Sequence, residues 1–145
     1  MIPEEPNLRL VGRFWAAYQA RNWALAQALL APGVQCRWWA TSELFDGAPA
    51  TVGVNAAYPE GWRIHLLELQ GLSDGRVLSM VRVDHGALQF WANSFFTLGS
   101  GLITALDEYW SDAAEPPSWR QSLPDRHIQP ADARAGMPLD PALWD

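Results

Sequence analysis

The stretch Leu102-Ile103-Thr104-Ala105-Leu106-Asp107-Glu108-Tyr109-Trp110 decides how this chain folds. It follows the turn Gly99-Ser100-Gly101 and ends in acid, aromatic, aromatic. Before the turn runs an aromatic-rich strand, 87–98, carrying Phe90, Trp91, Phe95 and Phe96. Residues 76–84 and 62–72 read as two further strands, separated by Ser73-Asp74-Gly75 and closed by His85-Gly86. Short glycine turns between successive strands make an antiparallel meander.

Upstream of the meander the period changes. Leu8, Val11, Phe14, Trp15 and Tyr18 recur at helical spacing and predict a helix over 7–20, with Asn7 as its N-cap. Asn22 is placed to cap a second helix over 23–30, which Pro32-Gly33 would end. Residues 34–41 read as a strand. The stretch 42–61 holds Gly47, Pro49, Gly53, Pro59 and Gly61 and reads as irregular, with room for a short helix at 51–57.

The meander strands are apolar on both faces. Leu78 and Met80 share one side of their strand, while Val77, Val81 and Val83 share the other. A sheet of this kind must be covered twice. The helices cover one face, and a second copy of the sheet is the simplest cover for the other, so a homodimer through the sheet is expected. The predicted class is α+β: a cone-shaped, curved antiparallel sheet wrapped around the N-terminal helices. That unit occupies 1–112. From 113 to 145 the prolines Pro116, Pro117, Pro124, Pro130, Pro138 and Pro141 exclude a regular helix or central strand. Trp119, Leu123, Ile128, Met137, Leu139 and Trp144 give this segment the anchors of an extended arm.

Composition narrows the function. The chain has 145 residues, net charge −6, ten arginines and no lysine. An acidic surface with scattered arginines repels a phosphate backbone, so nucleic acid is not an expected partner. No apolar run reaches the ~20 residues of a membrane span, so no membrane partner is expected either. The acidic N-terminus lacks the pattern of a secretory signal, which points to the cytoplasm. Cys36 is the only cysteine, and His65, His85 and His127 share no ligand spacing, so neither a disulfide nor a metal is expected. Nine tryptophans are the outlier. Indoles build bulky cores and interfaces, and some can line a cavity.

Two helices, a strand, an irregular link and a meander ending in Asp107-Glu108-Tyr109-Trp110 resemble the nuclear transport factor 2-like superfamily, with the SnoaL-like branch most similar. Phe95-Phe96-Thr97-Leu98, the glycine turn and the final strand carry the resemblance, which spans about 7–112. It implies a curved sheet around a long helix, an apolar cavity between them, and frequent dimers. It does not fix a function.

The candidate chemistry centres on Arg82, Asp84 and Glu108. Arg82 and Asp84 share a strand face, and Glu108 stands near the end of the last strand. Two carboxyls and an arginine at one cavity would divide acid from base. Within the superfamily this resembles limonene-epoxide hydrolase, which places an arginine and an aspartate two apart and a second aspartate before Tyr-Phe. Arg82, Asp84 and Glu108 fall at those places, the last as Glu. The tyrosine and asparagine with which that family holds its water have no counterpart in Arg37-Trp38-Trp39-Ala40-Thr41. The simpler alternative is that Arg82 and Asp84 form a strand-surface ion pair while Glu108 caps the sheet edge or pairs with an arginine. His65 is a further candidate base, or a core histidine. Trp15, Tyr18, Trp39, Trp91 and Asn93 are the expected ligand-binding residues. The expectation is therefore a dimeric protein binding a small apolar ligand without a cofactor. The alternative is a cofactor-independent isomerase, dehydratase or epoxide hydrolase.

Overall fold

A computed structural model describes residues 2–145. The first helix, α1, is Pro6–Gln19. Its cap is Glu5 rather than Asn7: the Glu5 carboxylate accepts from the backbone N–H of Asn7 at 3.1 Å and of Leu8 at 2.9 Å. Pro6 at the first helical position, where no N–H is needed, moves the start one residue earlier. Val11, Phe14, Trp15 and Tyr18 form its buried stripe. The second helix, α2, is Trp23–Ala28, and the Asn22 side chain accepts from Leu25 N–H at 3.1 Å.

Pro32-Gly33 does not terminate that helix. It lies inside β1, Leu30–Trp38, where the ladder register shifts between Leu30 and Gln35. A proline is tolerated there because β2, Glu43–Asp46, pairs only with Gln35–Trp38. Residues read as irregular thus supply a strand, and then α3, Ala48–Ala57. The meander follows as β3, Trp62–Gly71, β4, Val77–His85, β5, Leu88–Gly99, and β6, Leu102–Asp112.

The six strands form one open sheet in the order β2-β1-β6-β5-β4-β3. The meander is antiparallel throughout, but β1 joins β6 in parallel, so the sheet is mixed. The parallel pair needs a long crossover, and everything from β2 to β5 supplies it. One face of the sheet receives α1; we call it the inner face. Phe14 meets Phe96 edge-on at 5.6 Å, and the Trp15 indole donates to Ser79 Oγ at 2.9 Å. Val77, Val81 and Val83 point the same way and are buried.

Residues 113–145 hold only a short helix, α4, Ser118–Gln121, and a 3-10 turn, Pro141–Trp144. Trp119, Leu123 and Ile128 stay exposed, so they do not anchor the segment. Its later part does dock. Met137 N–H donates to Leu66 O at 2.8 Å, forming a bridge at the bulge of β3. The preceding Gly136 has φ +76°, and any Cβ there would run into the Leu66 backbone. At the end, Trp144 is 1% exposed and lies directly on Gly12 of α1, where a side chain would occupy the space of its ring.

Candidate functional site

Pairing register places four polar or indole side chains in one row across the inner face. Ser79 of β4 opposes Ser94 of β5, Ser94 opposes Glu108 of β6, and Glu108 opposes Trp38 of β1. Glu108 is 3% exposed. Its Oε2 accepts from Ser94 Oγ at 2.6 Å, and its Oε1 accepts from the Trp38 indole at 3.0 Å and the Cys36 thiol at 3.6 Å. Burial pushes the Glu108 carboxyl above the ordinary carboxylate range, and the three hydrogen bonds only partly oppose it. Burial, then the adjacent Glu108, also push the Cys36 thiol far up, which disfavours the thiolate. No arginine or histidine pairs with Glu108 among the described residues.

Glu108 forms part of the wall of a cavity of about 660 Å³. The cavity lies between α1, α3 and the inner face, and seven aromatic side chains line it: Trp15, Tyr18, Trp38, Tyr58, Trp62, Phe90 and Trp110. Four of the rings are consecutive neighbours. Trp38 and Trp110 lie 5.9 Å apart at 66°, Trp110 and Phe90 5.7 Å apart at 59°, and Phe90 and Tyr58 6.0 Å apart at 86°. Asn55 of α3 donates to the Tyr18 hydroxyl at 3.3 Å. Burial and then the Glu108 charge push that phenol upward, so it stays protonated.

The structure does not bring Arg82, Asp84 and Glu108 together. Valines at 81 and 83 face inward, so strand alternation sends Arg82 and Asp84 to the outer face. There Arg82 Nε donates to Asp84 at 3.0 Å, and its Nη1 donates to Asp132 at 3.1 Å and to the Arg134 carbonyl at 2.8 Å. Its side chain is 3% exposed beneath the C-terminal segment. His65 lies on the same face, 3.2 Å from Asp84 through Nε2 and 3.1 Å from the Ala135 carbonyl through Nδ1. Burial alone would raise Asp84, but hydrogen bonds from Arg82 and Gln89 outweigh it and hold the carboxyl below its usual range. This outer cluster holds the segment against the sheet.

Of the expected ligand-binding residues, Trp15 and Tyr18 line the cavity. Trp39, Trp91 and Asn93 do not. Trp39 is 51% exposed and donates to Asp107 at 2.9 Å; Trp91 donates to Asp132 at 3.0 Å; Asn93 is exposed between Trp91 and Phe95. Trp38, Tyr58, Trp62, Phe90 and Trp110 escaped the sequence reading. For three of them the missing signal was parity. Trp38 and Trp39 are adjacent, and only the register Trp38↔Glu108 shows which one turns in. Likewise Phe90, Ala92, Ser94 and Phe96 are the inner set of β5, which turns Trp91 out and selects Trp110 on β6.

No protein-family model matches the chain, and comparison with curated sequences returns no significant match. Solved structures do match. A candidate ketosteroid isomerase from Kribbella flavida is 28% identical, covering 91% of this chain and 96% of its own, with a TM-score of 0.75. An NTF-2 like protein of unknown function from Burkholderia xenovorans is 16% identical, covering 89% and 100%, with a TM-score of 0.70. An LEH-like epoxide hydrolase of M. tuberculosis is 22% identical, covering 75% and 86%, with a TM-score of 0.62. The last two likenesses show the fold alone. These likenesses extend over 75–91% of this chain, which has the nuclear transport factor 2-like fold.

Proposed function

We propose that this protein binds a small, largely apolar ligand in the cavity between α1, α3 and the sheet. One observation carries the reading: about 660 Å³ of space walled by aromatic rings holds a single buried carboxyl, Glu108. Ligand sites are typically of this size, apolar, and furnished with few polar groups. Trp15, Tyr18, Trp38 and Trp110 supply the apolar contact, and Glu108 orients the ligand. The test is tryptophan fluorescence with a panel of hydrophobic small molecules, compared with Val54→Trp, which places an indole where α3 lines the cavity. Saturable quenching that the variant loses supports the reading; no response from the native protein to any compound counts against it.

An acid–base role for Glu108 is the second reading, favoured by its raised proton affinity and by the candidate isomerase at 28% identity. One carboxyl that accepts a proton and returns it elsewhere suits isomerisation better than hydrolysis, which also needs a positioned water. Glu108→Gln would then abolish turnover while leaving ligand binding intact.

The reading also includes a homodimer. The C-terminal segment covers the outer face only around His65, Arg82 and Trp91, and Tyr109 remains 48% exposed beside Phe95. A second copy of the sheet would bury these rings. Sedimentation velocity checks this: Tyr109→Arg should shift a dimer to monomer, and a monomeric native protein would remove the proposal.

A further inference from the structure

Charge at the cavity is one-sided. Glu108 stands in its wall, and Glu43 and Asp112 line it from the exposed ends of β2 and β6. No arginine or histidine belongs to the lining. Among the described residues none of the three carboxyls has a basic side chain within ion-pair distance. Two basic groups lie close by but are engaged. Arg21 stacks on Trp62 at 3.3 Å and pairs with Glu60 at 3.0 Å. His85 uses both ring nitrogens, on the Tyr58 hydroxyl at 2.8 Å and the Glu60 carbonyl at 3.0 Å.

Beside the buried acid runs the series of rings Trp38, Trp110, Phe90 and Tyr58, with Trp38 opposite Glu43 and Phe90 opposite Asp112 in the ladder. Neighbouring rings meet at 59° to 86°, so they present faces in several directions instead of one flat stack. Ring faces carry negative electrostatic potential and attract cations within about 6 Å, most strongly when the site is desolvated. Charges of one sign in a low-dielectric cleft focus the field further. A neutral ligand uses the apolar area and leaves this field unmatched; an anion opposes it.

We infer that the ligand carries a positive charge on an otherwise apolar body: a tertiary or quaternary amine, its cationic head against the Trp38–Trp110–Phe90–Tyr58 rings and facing Glu43, Glu108 and Asp112. The inference rests on the cavity being a ligand site, as proposed above, and adds the chemical class.

The test compares two isosteres by tryptophan fluorescence at low salt. Benzyltrimethylammonium and neopentylbenzene have the same shape and differ by one charge. The cation should bind at least about tenfold more tightly, and its advantage should shrink as salt rises. Glu43→Gln with Asp112→Asn, both at exposed positions, should weaken the cation severalfold and leave the neutral compound unchanged. Equal or tighter binding of neopentylbenzene would overturn the charge inference while the ligand-binding reading stands. Binding of neither compound, by protein whose circular dichroism is folded, would overturn both.

Discussion

The Trp38 indole donates to Glu108 across the only parallel strand pair of the sheet, at 3.0 Å. The crossover that brings β1 beside β6 thus also supplies a donor to the one buried carboxyl of the inner face. Trp38→Phe keeps a smaller aromatic ring and removes that donor, leaving Oε1 only the Cys36 thiol at 3.6 Å. It should cost about 1–3 kcal/mol, the usual penalty for a buried acceptor losing its partner. Chemical denaturation measures it, and a change below about 0.5 kcal/mol would show that the bond contributes little.

Glu108 makes stability depend on pH in a defined direction. Its folded pKa lies above its unfolded one, so the folded state holds the proton more tightly. Its contribution is complete below the unfolded value of about 4.3 and declines as pH rises toward the folded value, by about 1.4 kcal/mol per unit in that window. Glu108→Gln stays neutral and removes the slope. The variant should match the native Tm in acid and exceed it at pH 8. A constant offset at all pH values would mean another group titrates.

Gly12 and Trp144 are coupled by contact. Gly12→Ala should cost about 1–3 kcal/mol by overpacking against the indole. In a Trp144→Ala background the same change should be nearly free, since the ring it strikes is gone. Equal cost in both backgrounds would disprove the coupling.

Arg82 serves the outer face and not the cavity. Arg82→Met removes the buried cation between Asp84 and Asp132, which keep His65 and Arg134 as partners, so the loss should be about 1.5–3 kcal/mol, as for hydrogen bonds to charged groups. Hydrogen exchange at 132–137 should rise markedly while quenching by cavity ligands persists. Loss of ligand binding with exchange unchanged would return Arg82 to the site.

Asp132 sets the acid limit of that attachment. Hydrogen bonds from Arg134 and Trp91 hold its folded pKa well below the ordinary value. The stabilisation is therefore present above the unfolded value of about 3.9 and is lost as pH falls below it. The Trp91 indole N–H, bonded to Asp132, reports on it by NMR. Its resonance should move to a solvent-exposed position in acid, and Asp132→Asn should put it there at neutral pH.

The chain of local signals was strong enough to be read directly. Asn22 is a cap wherever a helix follows it, and Gly75, Gly86 and Gly101 turn at positive φ whatever surrounds them. The four meander strands and both N-terminal helices, and with them the α+β class, follow from such periods and turns. Which face each strand turns inward does not, because β4 and β5 are apolar on both sides and alternation alone is symmetric. The contact of α1 with the Val81–Val83 side broke that symmetry. It sent Arg82, Asp84, His65 and Trp91 beneath the C-terminal segment and left Glu108 alone among rings. The parallel docking of β1 on β6 then chose Trp38 over its neighbour. These outcomes depend on contacts between residues seventy or more positions apart, which no local pattern encodes.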